Sequence, residues 1–221
     1  RLPHPTAGER GATAAQETNG RMWEECPTCK QHWTGEMELG LARARVASLA
    51  SRPEGDWDRL NASNMLTQAL REMGEYAEAL SLGVATLATA RQTLGDEAAV
   101  TLTAMAILAS VHSMMDNLAL ALPLETECLA VRRRVLGDDH ERTMDSVNGL
   151  AATHADMENY DAALPLMTEN LERKRRLLGD DSADTLISMG NLADLHDSMG
   201  HCDLALPLFR DALQRSRRVL G

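Results

Sequence analysis

The sequence predicts an all-α fold, a solenoid of antiparallel helix hairpins stacked one on the next. Three observations carry that expectation. First, Leu-Gly recurs at 94–95, 136–137, 178–179 and 220–221, a period of 42 residues each time, and self-similarity at a fixed period is the mark of a repeat architecture. Second, gapless superposition of the four units gives invariant columns: Met73, Met115, Met157 and Met199, and likewise Ala79, Ala121, Ala163 and Ala205. Leucine columns run through Leu66, Leu80, Leu82 and Leu87, and Arg91, Arg133, Arg175 and Arg217 form a basic one. Third, apolar residues within a unit follow helical spacing. In the third unit Leu150, Thr153, His154 and Met157 share a face of a first helix near 143–157, and Ala163, Leu164, Met167, Leu171 and Leu178 stripe a second near 160–177. Composition agrees: with aromatics at 3% and hydrophobics at 44%, the core must be Leu, Ala, Val and Met, which favours closely packed helices.

Taken in order, residues 1–35 hold no periodic element. Residues 1–22 are rich in Gly, Ala, Thr and Glu and read as disordered. Cys26-Pro27-Thr28-Cys29 is a knuckle of the kind that gives two thiolates to a tetrahedral zinc. Two readings stand for it: half of a zinc site whose other half lay upstream in a longer parent chain, or an idle pair of thiols. Residues 36–52 form a capping helix, amphipathic over 37–51, and four hairpins follow at 53–95, 96–137, 138–179 and 180–221. Gly179 stands where a helix end calls for a left-handed residue. Asp180, Asp181 and Thr185 suit the turn and the first helical turn after it. Pro123, Pro165 and Pro207 fall early in second helices, and the small columns through Ala109 and Ala121 let paired helices approach closely.

These columns resemble the tetratricopeptide repeat, whose consensus has Leu at its seventh position and small residues at its eighth and twentieth. The 42-residue period, the Leu-Gly-Asp-Asp-x-x-x-Thr linker, Asn-Leu-Ala-Asp-Leu-His at 191–196 and Ala-Leu-Pro-Leu at 205–208 resemble the kinesin light chain subgroup in particular. The resemblance covers about residues 54–221. It implies a right-handed superhelix with a concave groove lined by the first helix of each hairpin. Carried over position by position, the groove takes Asn61, Asn64, Gln68 and Arg71 from the first unit, and Thr103, Ala106, Ser110 and Ser113 from the second. The third gives Asp145, Asn148, Ala152 and Ala155, and the fourth Ile187, Gly190, Asp194 and Asp197. Asn and Gln can bracket a peptide backbone, offering donor and acceptor together. The carboxylate-clamp form of the family needs Lys and Arg in the groove, and only Arg71 qualifies. Kinesin light chains are associated with basic grooves for acidic cargo; this groove is neutral to acidic, so the partner it implies is a neutral to basic peptide or helix. Cys-Pro-x-Cys in turn resembles the closing ligand pair of a RING-type finger.

The function classes follow by weighing sites. A net charge of −11 disfavours nucleic acid and anionic membrane surfaces, and no apolar run approaches a membrane span. Isolated Cys128 and Cys202 fit a reducing, cytoplasmic compartment. His112, His154 and His196 share a column, but successive hairpins hold them on different helices about 10 Å apart, too far for one zinc. They read as packing residues. No nucleophile motif or phosphate-binding Gly loop occurs, so the chain reads as a non-enzyme without a cofactor of its own. The clusters Arg132–Arg134, Arg173–Arg176 and Arg215–Arg218 close second helices, where positive charge opposes the macrodipole. The expected function is a protein-interaction scaffold. Two alternatives are the substrate-recruiting part of a zinc-finger ubiquitin ligase and a kinesin-type motor adaptor. Self-association is also expected, through a last hairpin (helix near 202–219) that keeps the apolar residues of an internal repeat.

Overall fold

The computed structural model describes residues 34–220, so the expected disorder of residues 1–22 and the Cys26–Cys29 knuckle lie outside the described residues. Among the described residues there are nine α-helices and no strand. They are α1 (Glu36–Ser48), α2 (Trp57–Glu72), α3 (Tyr76–Leu94), α4 (Ala99–Met114), α5 (Leu118–Leu136), α6 (Glu141–Asp156), α7 (Tyr160–Leu178), α8 (Ala183–Ser198) and α9 (Cys202–Leu220). The fold class is the expected one, helices paired into hairpins. The chain divides into two compact units, one ending at Leu94 and one beginning at Gly95.

In the first unit α1 packs on α2 and α2 on α3. The capping helix is shorter than the sequence suggested and only weakly amphipathic: its buried residues are Leu39 and Ala42, while Met37 is exposed. Asp56 caps α2, its side chain accepting the Arg59 backbone N–H at 3.1 Å. Leu60, Leu66 and Leu70 of α2 and Ala79 of α3 fill the interior. Arg43 pairs with Glu78 at 2.9 Å and ties α1 to α3.

The second unit holds three hairpins, α4–α5, α6–α7 and α8–α9, each helix packed on the next. The small columns sit where helices meet: Ala109, Ala151, Ala121 and Ala163 have no exposed surface. Around them Met167 and Leu171 of α7 pack with Met189, Leu192 and Leu195 of α8. Each such side chain taken out of water contributes about 1.5–3 kcal/mol before entropy is charged against it.

Each hairpin turns in the same way. Met73, Met115, Met157 and Met199 are the C-caps of the first helices. The residue after each has positive φ: Gly74 (79°), Asp116 (60°), Glu158 (58°) and Gly200 (78°). In α6 the Asn159 N–H donates back to the His154 carbonyl and the Glu158 N–H to Ala155, both at 2.8 Å. That is the Schellman arrangement, which satisfies the last carbonyls of the helix. Of these methionines Met73 and Met157 are exposed, whereas Met115 and Met199 are half-buried and Met199 packs against the core cluster.

The Leu-Gly linkers differ from expectation in one angle. Gly137 and Gly179 have φ of 85° and 83°, but ψ is 166° and 165°, so the chain leaves the helix extended instead of in a left-handed turn. Only glycine adopts that region readily. The aspartates after each glycine are not N-caps either. His140 caps α6 through Nδ1, and Ser182 at the start of α8 makes no side-chain cap bond. Asp138, Asp139, Asp180 and Asp181 instead meet arginines. Arg133 lies 3.0 Å from Asp138 and Arg175 3.3 Å from Asp180 across the linker. Arg173 and Arg176 reach Asp139, and Arg215 and Arg218 reach Asp181, so the ends of α7 and α9 hold the starts of their own hairpins.

The last helix breaks the burial pattern. Leu129 and Leu171 are 4% and 2% exposed, whereas Leu213 in the same column is 53% exposed. Leu204, Leu206 and Phe209 are exposed beside it.

Candidate partner-binding groove

In the second unit a cleft of about 290 Å³ opens between α4, α5 and α6. First helices α4 and α6 form its walls. From α4 come Ala106, Ser110, Ser113 and Met114; from α6 come Asp145, Ser146, Gly149, Ala152, Thr153 and Asp156. The second helix α5 supplies the remainder with Glu125, Cys128 and Arg132. Ser110 and Asp145, both expected in the groove, are thus brought to one cavity.

The other expected residues are placed as follows. Asn148 is half-buried and its Oδ1 accepts from Asn191 Nδ2 at 2.9 Å, linking α6 to α8. Asp194 and Asp197 on α8 are exposed and do not line the cleft; Asp197 Oδ1 accepts from the Cys202 thiol at 3.5 Å. In the first unit Asn61, Gln68 and Arg71 are half-buried, Gln68 bonds Glu72, and Arg71 lies 3.4 Å from Glu72. Asn64 is 3% exposed, buried in the helix on which α1 packs, and is removed from the surface a partner could touch.

Sequence reasoning missed Glu125, Cys128, Arg132, Gly149 and Thr153. Their signal lay in departures from the repeat. The column of Thr153 is otherwise Ala69, Val111 and Leu195, all nearly or fully buried. That of Glu125 is otherwise Gly83, Met167 and Phe209, and that of Gly149 is Met65, Ile107 and Asn191. Where the other hairpins put mostly packing residues in these columns, the neighbouring pair α4–α5 and α6–α7 puts a carboxylate, a hydroxyl and a gap.

The electrostatics are uneven. Glu125 bonds the Thr153 hydroxyl, which in turn lies 3.4 Å from Ser113 Oγ. Its Oε2 is buried with no partner. Burial pushes the Glu125 carboxyl above its ordinary range, and the charge of Asp156 adds to the rise. Asp145, at the exposed rim, is also raised by desolvation, against the pull of Lys174. Arg132 is 5% exposed and is spent on neutral acceptors: the Arg142 carbonyl at 2.9 Å, Ser146 Oγ at 2.6 Å and the Leu102 carbonyl at 3.3 Å. Burial lowers its pKa. Cys128 is buried, and desolvation pushes its thiol up, which makes it a poor nucleophile. His112 and His196 are half-buried, as a packing role requires, and burial lowers the pKa of His112. Among the described residues no group of three or more metal-ligating side chains converges, and no helix is long and apolar enough to cross a membrane.

The tetratricopeptide repeat family model matches residues 58–134 and 142–218, and the chain belongs to that family. Such repeats generally mediate protein–protein interactions. The fold is similar to the nearly identical TPR-like repeats described as kinesin light chain in Podosopora anserina. That similarity holds at 19% identity and a TM-score of 0.68, covering 96% of this chain and 95% of that one. It is similar also to BtubC (BKLC) from P. vanneervenii, at 16% identity and a TM-score of 0.72 over 83% of this chain and 74% of that one. A Rap protein complexed with Competence and Sporulation Factor shares the fold more loosely, with 12% identity, a TM-score of 0.56, and coverage of 83% and 59%. No curated protein sequence matches the chain.

Proposed function

We propose that this chain is a binding scaffold that holds a peptide or helix of a partner protein in the groove between its first helices. The observation that carries this reading is the cleft itself: it lies on the face formed by the positions of Ala106, Ser110, Ser113, Asp145 and Ala152. The partner is neutral to basic, since the groove presents Asp145 and Asp156 and, further along, Asp194 and Asp197 on exposed surface. Complementary charge of this kind governs association rate and specificity more than affinity. That a Rap protein of similar fold is known in complex with Competence and Sporulation Factor supports ligand capture by such a scaffold. Free Cys128 and Cys202 support residence in the cytoplasm.

The test is a random peptide library displayed and selected against the chain, with the winners retested on Ala152→Trp, whose indole fills the groove. Loss of binding by most winners supports the reading. Winners that bind Ala152→Trp as tightly as the parent place the interaction elsewhere and overturn it.

A second, independent observation favours self-association. Leu206, Phe209 and Leu213 are exposed on α9 although their columns face inward in the preceding hairpins, and unpartnered apolar rows of this kind mark interfaces. The occupant of that face is a second copy of this chain.

A further inference from the structure

The cleft between α4, α5 and α6 differs from the rest of the repeat in charge as well as in shape. It holds three carboxylates, Glu125, Asp145 and Asp156, against the single guanidinium of Arg132. That guanidinium neutralises none of them by contact, because its bonds go to two backbone carbonyls and a serine hydroxyl. Glu125 is the deepest consequence. One of its oxygens is withdrawn from solvent without a donor, at a position where the other hairpins carry Gly, Met or Phe. A buried carboxylate oxygen left unpaired is costly, and a cation bound beside that carboxylate offsets the cost by favouring its charged form.

The room for that cation comes from Gly149. A Cβ there would stand 3.5 Å from Glu125 Oε1, an ordinary contact. The larger side chains that occupy this column elsewhere, Met65, Ile107 and Asn191, would extend further into the space. At about 290 Å³ the cleft is just below the range of about 300–1,000 Å³ usual for small-molecule sites. It is suited to one long side chain and not to a whole cofactor. Small walls at Ala106, Ser110 and Ala152 would accept the aliphatic stem of such a chain.

We propose that this cleft is a cation pocket, taking one arginine or lysine side chain of the bound partner with its charged end on Glu125 and Asp156. This deepens the groove reading above, on which it rests for the source of the side chain.

N-acetyl-arginine amide is the probe, with N-acetyl-citrulline amide as its neutral near-isostere, titrated against the full chain and followed by the backbone amide NMR signals of Ser113, Gly149 and Thr153. The expected result is saturable shifts at those amides with the arginine probe and binding weaker by about tenfold or more for citrulline, since the charge-assisted bond is lost. Glu125→Gln should weaken the arginine probe to a similar degree, and Gly149→Met should abolish its binding while leaving the helical circular dichroism intact. Equal binding of the two probes, indifference to Glu125→Gln, or no saturable shift with arginine overturns the proposal. The two readings fail separately. Selected peptides that are lost on Ala152→Trp but indifferent to Glu125→Gln sink the cation pocket alone. An arginine probe that binds here while peptides ignore Ala152→Trp sinks the groove alone.

Discussion

Arg173 Nη1 lies 2.8 Å from Oδ1 of Asp139, thirty-four residues earlier in the chain, and thereby joins the last turns of α7 to the linker that starts its own hairpin. The same oxygen receives Arg176 at 2.8 Å, and Arg173 also bonds Glu169 at 2.6 Å. In the next hairpin Arg215, Arg218, Asp181 and Asp211 repeat the arrangement at the same separations. Both of these hairpins carry their own clasp, made from charges that sequence alone assigns to the helix dipole.

Removing the clasp should have a modest, salt-dependent effect. These pairs are partly exposed, and such pairs contribute about 0.2–1 kcal/mol each. Arg173→Met is expected to lower the urea midpoint slightly in low salt, and the difference should shrink in 1 M salt, where screening reaches about 3 Å. An equal loss at both ionic strengths would mean that packing of the arginine stem, and not charge, is what matters.

Asp116 and Glu158 hold left-handed backbone that glycine adopts in the other two hairpins. A non-glycine residue there costs about 1–2 kcal/mol, partly offset by the greater unfolded freedom of glycine. Asp116→Gly and Glu158→Gly should therefore each stabilise the chain, by about 0.5–1 kcal/mol net. Chemical denaturation of the two variants measures this. A destabilisation would show that the carboxylates make contacts outweighing the backbone strain.

Ala163 has no exposed surface where α7 meets its neighbours. Ala163→Leu should push the helices apart and cost about 1–3 kcal/mol. Leu171→Ala, which leaves a cavity in the same cluster, should cost about 2–5 kcal/mol. Thermal melts by circular dichroism resolve both, and a neutral Ala163→Leu would show that the helices part easily.

Glu125 makes stability depend on pH. Its carboxyl is raised in the fold, so the protonated form suits the folded state better than the ionised one. That favourable balance is complete below the ordinary glutamate range and is lost as pH rises through the raised value. Glu125→Gln removes the loss: the variant should be more stable than the parent at neutral pH and close to it near pH 4. The titratable groups that line the cleft with Glu125 are Asp145 and Asp156 of α6 and, on α5, Cys128 and Arg132; Asp156→Asn should reduce the effect because its charge adds to the rise. A parent that matches Glu125→Gln throughout would show that the carboxylate finds solvent after all.

Self-association through α9 should appear in sedimentation as mass rising with concentration. Leu213→Glu, on a residue already exposed, should return a monomer without loss of helix content. A parent chain that stays monomeric at high concentration rules that interface out.

The helices were legible because a 42-residue period repeats every packing decision four times, and columns such as Ala109–Ala151 record the close approach directly. The turn angles were half legible: glycine signals positive φ but does not distinguish a left-handed from an extended ψ, which at Gly137 and Gly179 is the extended one. Ser110 and Asp145, named together from the sequence, do line one cleft. Asn64 is 3% exposed, on the helix against which α1 packs, and a column reading carries no information about a helix outside the repeat. Glu125, Gly149 and Thr153 were passed over for the opposite reason. Column reading rewards agreement, and these residues matter where they disagree with their counterparts.

The gap at Gly149 has a consequence for how the cleft can change. The residue is half-buried, it belongs to none of the invariant columns, and a methyl group added there would clash with nothing. Substitutions at such a position, together with Asp156 on the rim, would reshape the cleft while the alanine and leucine columns keep the hairpins assembled. The lining of the cleft is thus separable from the columns that hold the scaffold together: a few changes in one hairpin pair alter the first and leave the second intact.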